Sequence, residues 1–409
     1  MLPAFQYKKY NFFLQEIGQN TFRFKDEKIA NRLLFDDDFE RASIVSIESI
    51  NMQGPTLLFN DKLITMKEIQ PNLFEPNSMN VFYEVLKETA LPNIGFDYHS
   101  PKKHLPIPRV NRDGVGKLAI IVPFFNYNIN PRMVENYNRF RQALGTDDVF
   151  VIESTLNVDY QIPESKNFIR IEAKPENLMW QKERMLNLAI KKLPGEYTDV
   201  AWIDADVLFD DLNWIEEATE KLKDYAFVQL FNTAQWLDDD GSVIHKFRSP
   251  FSQLRDGSLR HHVGFAWAAR REVIEQSGGL FDYHVTGNGD CFIYHALTGV
   301  SENEMGNLSM EIIKGLPGFQ YVFWKYRNKM QEITKSSVTC LSGNIRHLYH
   351  GNLASRKYSG RQMILIKNKF DPLEDLRVDD NGLYRWDENE RTAKIREMIS
   401  SYFSETAKQ

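Results

Sequence analysis

The spacing of apolar and polar positions changes character part-way along the chain. Up to residue 112 the apolar residues come in short runs: "ASIVSIESI" (42–50) and "GPTLLFNDKLITM" (54–66) read as strands and "NSMNVFYEVLKETAL" (77–91) as a helix. The stretch "PKKHLPIPRVNRDGVG" (101–116) holds three prolines and two glycines and reads as a linker. After it, continuous apolar runs alternate with helical periodicity. "KLAIIVPFF" has the unbroken apolar character of a parallel strand covered on both faces. "PRMVENYNRFRQAL" is a helix with Pro131 in its first turn, and "DVFVIEST" and "KNFIRIEA" are further strands. "ENLMWQKERMLNLAIKKL" (176–193) is a helix ended by Pro194 and Gly195, and "DVAWIDADVLF" is the next strand. Strands alternating with helices imply right-handed crossovers and a mostly parallel sheet, with ligands beyond the carboxyl ends of its strands. We therefore expect an α/β domain over 113–370, a smaller mixed α+β domain over 1–112, and a turn-rich tail with a short helix over 371–409. No internal repeat stands out.

Composition narrows the function classes. With 42% hydrophobic and 26% charged residues the chain is an ordinary globular protein, and no window approaches the roughly 18 uncharged apolar residues of a membrane span. Without a leader-like start, a cytoplasmic location is expected. Cys291 and Cys340 lack the paired spacing of a zinc site or a disulfide framework. The net charge of −6 argues against indiscriminate nucleic-acid binding. Between Lys314 and Lys369, however, eleven bases face one acid, Glu332, which suggests either an anionic partner or a solvated basic face. Residues 1–117 hold fifteen bases and fifteen acids, so charge does not mark the first domain as a DNA binder.

The chemistry concentrates at "WIDADVLF". Asp204 and Asp206 close an apolar run one residue apart, where unpaired carboxylates would repel and one would take up a proton. A divalent cation resolves that conflict, since Mg²⁺ and Mn²⁺ take oxygen ligands and bridge carboxylates to a diphosphate. The competing reading is a pair of loop acids capping the following helix. Asp290, after "GNG" and before "CFIYHAL", sits where a helix begins. That placement suits a carboxylate acting as a base and equally suits a plain cap.

In combination these segments resemble the GT-A fold glycosyltransferases, over roughly Lys117 to Phe370. "IIVPFFNYN" is similar to the family's first strand and its Pro-aromatic-x-Asn turn, which implies donor contacts at Pro123, Phe124 and Asn126. Glu153, ending "VFVIE", holds the position of an acid that meets the nucleoside base. Its carboxylate would suit a uracil N–H and so favours a uridine diphosphate sugar. Arg184 and Asn187 in "KERMLN" match the helix that follows. The resemblance implies that Asp204 and Asp206 hold Mn²⁺ or Mg²⁺ with the nucleotide sugar, Asp204 also touching the donor. "HHVGFAWAARREVIEQSGGLFDYHVTGNGDCF" resembles the acceptor-side segment and implies Asp290 as catalytic base. The family more often has two adjacent acids there, whereas this chain has Gly289-Asp290. Trp267 would stack on a sugar face, or belong to the core. "IRHLYHGNLASRKYSGR" resembles the segment supplying a third metal ligand, His350 with His347 as the alternative, and a diphosphate clamp of Arg356, Tyr358 and Arg361.

The implied function is a metal-dependent hexosyl- or pentosyltransferase, inverting if Asp290 lies opposite the leaving group. The acceptor is a saccharide or glycoconjugate or, given the basic segment, a hydroxymethylated pyrimidine in DNA, as in glycosyltransferases of large bacteriophages. Two other classes compete. "DADVL" also looks like the start of the haloacid dehalogenase-like phosphatases, where the first Asp is a nucleophile, and the fold could persist as a binding module without turnover.

Overall fold

A computed structural model describes the backbone of residues 4–7, 10–18, 21–24, 56–59, 62–70, 73–76, 112, 114–156, 159–252, 260–299, 307–351 and 358–406. The expected strand over 42–50, the helix over 77–91, most of the linker and Arg356 lie outside these residues. The chain divides into two units, Met1–Pro101 and Lys102–Gln409.

In the first unit, β1 (Ala4–Tyr7), β2 (Tyr10–Gly18), β3 (Thr21–Phe24), β4 (Thr56–Phe59), β5 (Lys62–Gln70) and β6 (Leu73–Pro76) close into a barrel in chain order. The barrel is built twice over. Strands of 4, 9 and 4 residues recur as strands of 4, 9 and 4 residues. The strand pairing recurs with them. Ala4↔Phe13 returns as Thr56↔Thr65, and Glu16↔Phe22 as Glu68↔Phe74. The parallel closures Thr21↔Thr56 and Ala4↔Leu73 are the same contact seen from either half. This corrects the expectation of no repeat. Between residues 4–24 and 56–76 identity survives only at Glu16/Glu68, Ile17/Ile69, Asn20/Asn72 and Phe22/Phe74, too few positions to show in the sequence. What persisted is the register, which period-2 alternation and turn length fix.

The second unit carries a seven-stranded sheet in the order β17-β12-β16-β10-β7-β8-β9. Its first four strands along the chain are β7 (Lys117–Phe125), β8 (Val149–Leu156), β9 (Phe168–Ala173) and β10 (Tyr197–Ile203); β12 (Phe227–Gln229), β16 (Ala266–Arg270) and β17 (Val338–Cys340) complete it. All neighbours are parallel except β16, which runs antiparallel to both β10 and β12. Strand alternation divides β7 between two cores. Ala119 and Ile121 pack on one face, and Leu118, Ile120, Val122 and Phe124 on the other.

A five-stranded sheet, β11-β18-β13-β14-β15, lies in the same unit: β11 (Val207–Phe209), β13 (Thr233–Leu237), β14 (Val243–Arg248), β15 (Arg260–His261) and β18 (Asn344–His347). The helices are α1 (Pro131–Leu144), α2 (Lys182–Lys192), α3 (Trp214–Asp224), α4 (Arg271–Ser277), α5 (Gly289–Thr298), α6 (Asn307–Gly315), α7 (Pro317–Thr334), α8 (Tyr358–Lys367), α9 (Pro372–Asp375) and α10 (Glu390–Thr406). The helix read over 176–193 begins only at Lys182, because residues 175–177 form a 3₁₀ turn and Trp180 N–H donates instead to Val285 O.

Residues 370–406 contribute to the core. A hairpin of β19 (Leu376–Val378) and β20 (Tyr384–Trp386) leads into the 17-residue α10. Trp386, Ile395 and Ile399 pack into the same apolar cluster as Ile121 and Phe292. Among the described residues no helix is long and apolar enough to cross a membrane.

Candidate functional site

The run "DVAWIDADVLF" is two strands. β10 belongs to the seven-stranded sheet and β11 to the five-stranded one, so residues 204–206 form the bend between the sheets. Asp204 N–H donates to Phe265 O, and Leu348 N–H donates to Asp206 O, which pins the bend from both sides. The opening of a parallel sheet at its carboxyl edge is where ligands collect. A cavity of about 570 Å³ lies there, a size suited to a nucleotide-sized ligand.

Two histidines converge on Asp206. In the β11–β18 ladder Val207 is the register partner of His347, so His347 arrives beside the residue preceding Val207. Its Nε2 lies 3.5 Å from Asp206 Oδ2, and His350 Nε2 lies 3.2 Å from the same oxygen. Strand alternation suggested that only one of the two histidines faces the site. β18 ends at His347, the chain turns, and both do. The ligand atoms of Asp206, His347 and His350 all lie within 4.8 Å of one another, whereas Asp204 is outside this group.

Asp204 instead faces Lys182, whose Nζ donates to Asp204 Oδ1 at 2.9 Å. Burial pushes the Asp204 carboxyl up to about 6, with Lys182 opposing and Asp206 and Asp290 reinforcing the rise. Burial also disfavours charge on Lys182, but the carboxylates of Asp204, Asp290 and Glu183 outweigh it and hold the ammonium more firmly protonated than usual. Beside them, Glu183 is buried and its carboxyl pushed up to about 7, chiefly by burial and then by Asp290, with Lys182 opposing.

Asp290 stands in the first turn of α5 and lines the same cavity as Lys182, Glu183, Asp204 and Asp206. Its Oδ1 accepts from the Cys291 N–H. Asn288 before it is left-handed (φ 86°), which sets the entry to the helix. The Asp290 side chain packs close on the backbone at Gly264, where an added Cβ would stand 2.4 Å from Asp290 Oδ2.

Other expected donor residues separate into two sets. Pro123, Phe124 and Arg361 line the cavity, with the Arg361 guanidinium 4.7 Å from the Trp180 ring centroid. Tyr358 is placed as the first residue of α8. Asn126 is buried and bonded to Asn130 and Gln161, stabilising the turn after β7. The remaining expectations are corrected. Glu153 is fully buried and accepts at Oε1 from the Gln161 and Ile162 N–H groups, so it holds a loop and the base-reading rationale falls. Arg184 donates to Gly382 O at 2.6 Å, lies 4.6 Å from the Tyr384 ring and faces Asp282, clamping the β19–β20 hairpin. Trp267 takes the second of its two expected places: it is 2% exposed, donates to Val263 O and stacks on Trp202 in the core.

Sequence reasoning missed Tyr402 and Phe403. They reach the cavity from α10, where Phe403 stacks on Trp180 at 4.6 Å and Tyr402 packs against the same ring. Their only signal is an adjacent aromatic pair in the carboxyl-terminal tail. The two cysteines are free. The basic segment does not gather on one element: Arg327 is buried on α7, Arg346 pairs with Asp210, and Arg361 is in the cavity.

No family model and no curated protein matches the chain. Among solved structures it is similar to the catalytic domain of Drosophila beta-1,4-galactosyltransferase 7 in complex with xylobiose, at 13% identity over 69% of this chain and 99% of that one, with a TM-score of 0.33. It is also similar to the mannosyltransferase PcManGT from Pyrobaculum calidifontis in complex with GDP-Man and Mn²⁺, at 12% identity over 71% and 69% of the two chains, with a TM-score of 0.31. A third is glucosyl-3-phosphoglycerate synthase from Mycobacterium tuberculosis in complex with UDP, at 10% identity over 62% and 80%, with a TM-score of 0.32.

Proposed function

We propose that this chain is a metal-dependent glycosyltransferase of GT-A type, transferring a sugar from a nucleoside diphosphate sugar to an acceptor hydroxyl. One observation carries the reading. Asp206, His347 and His350 form a ligand cluster in the same cavity as the candidate base Asp290, at the carboxyl edge of a parallel sheet.

The cluster fits a divalent cation. Asp206 Oδ1 is buried without a hydrogen-bond partner, while Oδ2 faces two imidazoles. One carboxylate with two imidazoles suits Mn²⁺ better than Mg²⁺, which prefers an all-oxygen shell. Bound there, the ion would offset the negative charge that develops on a departing diphosphate. Lys182 and Arg361 line the same cavity and would meet phosphate oxygens. Asp290 would accept the acceptor hydroxyl proton as that oxygen bonds the anomeric carbon and the carbon–oxygen bond to the diphosphate breaks. A base on the face opposite the leaving group gives inversion.

A saccharide is the favoured acceptor. A DNA acceptor draws on the charge of the 314–369 segment, and three of those bases are engaged elsewhere as described above. With Glu153 committed to backbone N–H groups, no nucleoside is preferred. The test is a panel of UDP- and GDP-sugars with Mn²⁺, following nucleoside diphosphate release with and without candidate saccharides. Release that stops on chelation and on Asp290→Asn supports the reading, and an indifferent enzyme sinks it. Retained anomeric configuration, read from NMR couplings, would exclude the inverting step alone.

A further inference from the structure

Glu183 has no part in the reading above, yet it lies in the cavity wall beside the candidate base. It is the second residue of α2, buried, and its carboxyl presses against the first residue of α5. A Cβ added to Gly289 would stand 2.4 Å from Glu183 Cδ and 2.7 Å from each carboxyl oxygen. Gly289 is followed directly by Asp290. A buried carboxyl thus abuts the turn that carries the proposed base. The chain has glycine where any side chain would displace that carboxyl.

We propose that Glu183 is a positioning residue for Asp290: held against the first turn of α5, its carboxyl fixes where the Asp290 carboxylate points. This rests on the glycosyltransferase reading for the identity of the base. The ionisable groups that face Glu183 are Lys182 on its own helix, Asp204 at the end of β10, Asp290 on α5 and Tyr326 on α7. Of these, Lys182 is engaged by Asp204. A charge appearing on Glu183 therefore stands beside Asp290 as a neighbouring like charge. The environment of Glu183 pushes its own ionisation up to about 7, so that charge appears near neutrality.

Two independent readouts test this in the full chain. The first is the pH dependence of nucleoside diphosphate release for wild type, Glu183→Gln and Gly289→Ala, with Mn²⁺. Wild type should show a rise in kcat as Glu183 ionises. In Glu183→Gln that rise should shift to lower pH and the plateau should fall about 3- to 10-fold, with KM for the donor unchanged. Gly289→Ala should behave likewise, because the end of a flexible side chain yields before the helix does. The second readout needs no substrate. Thermal midpoints of Glu183→Gln, Asp290→Asn and the double variant should be non-additive at pH 8 and additive at pH 5, where Glu183 is protonated in every protein that retains it. Additive midpoints at both pH values overturn the inference even if turnover is robust. Superimposable pH profiles for wild type and Glu183→Gln overturn it as well. Coupling at pH 8 without turnover of any nucleotide sugar overturns the glycosyltransferase reading and leaves the carboxyl pair intact.

Discussion

Lys182 donates to Asp204 across 2.9 Å, and that bond gives the two carboxylates of the 204–206 bend different surroundings. Asp206 turns to His347 and His350, whereas Asp204 is held by an ammonium on α2. Both partners are largely buried, so removing one leaves the other poorly solvated. Lys182→Met is expected to cost about 1–3 kcal/mol. Urea unfolding should show a lower midpoint with an unchanged slope. An unchanged midpoint would mean that Asp204 is well solvated without its lysine.

Gly264 is pressed against the site from β16's approach. Gly264→Ala would set a methyl 2.4 Å from Asp290 Oδ2 and 3.0 Å from His262 Cε1. The Asp290 side chain yields most easily, and displacing a reacting group by about an ångström costs on the order of 10²-fold in rate. The expected signature is a fall in kcat with nucleotide binding retained, separable by steady-state kinetics and calorimetry.

The Glu183 carboxyl also leaves a mark on stability. Its folded value, about 7, lies above its ordinary 4.5, so the folded chain holds this proton over a window where the unfolded chain has lost it. The associated stability is present below pH 4.5 and is lost as pH rises through about 7. Two buried histidines act in the opposite sense: His284 and His295 are lowered to about 3 and about 4 and destabilise the fold as pH falls. The difference between wild type and Glu183→Gln cancels their contribution. Relative to the variant, metal-free wild type should lose on the order of 1–3 kcal/mol between pH 4.5 and 7.5, measured by denaturant titration across that range.

The carboxyl-terminal segment is expected to be indispensable. Trp386 is fully buried, and its indole N–H donates to Leu178 O just before α2. Trp386→Ala should cost about 3–5 kcal/mol, visible as a lower thermal midpoint. A value within 1 kcal/mol would make the hairpin an appendage.

Much of this could be read from local pattern. β7 and α1 coincide with the expected "KLAIIVPFF" and "PRMVENYNRFRQAL" because unbroken apolar runs and an N-terminal proline are local signals. Asp204, Asp206, His350 and Asp290 do share one cavity. What failed was long-range. Local pattern leaves Trp267 between a sugar face and the core, and its pairing with Trp202 across β16 and β10 decides for the core. Glu153 and Arg184 were assigned by motif position, but their partners Gln161 and Gly382 come from a loop and a hairpin that no local pattern links to them. The duplicated barrel stayed hidden because pairing register survives substitutions that erase identity.

The most direct measurement is Mn²⁺ electron paramagnetic resonance on the metal-free chain, titrated with the ion alone and then with UDP or GDP. Wild type should bind about one Mn²⁺ per chain and change its spectrum when a nucleoside diphosphate joins it. Asp204→Asn should retain the ion, whereas Asp206→Ala and His347→Ala should lose it. If Asp206→Ala binds Mn²⁺ and nucleotide as wild type does, the metal centre described here is not the one the protein uses.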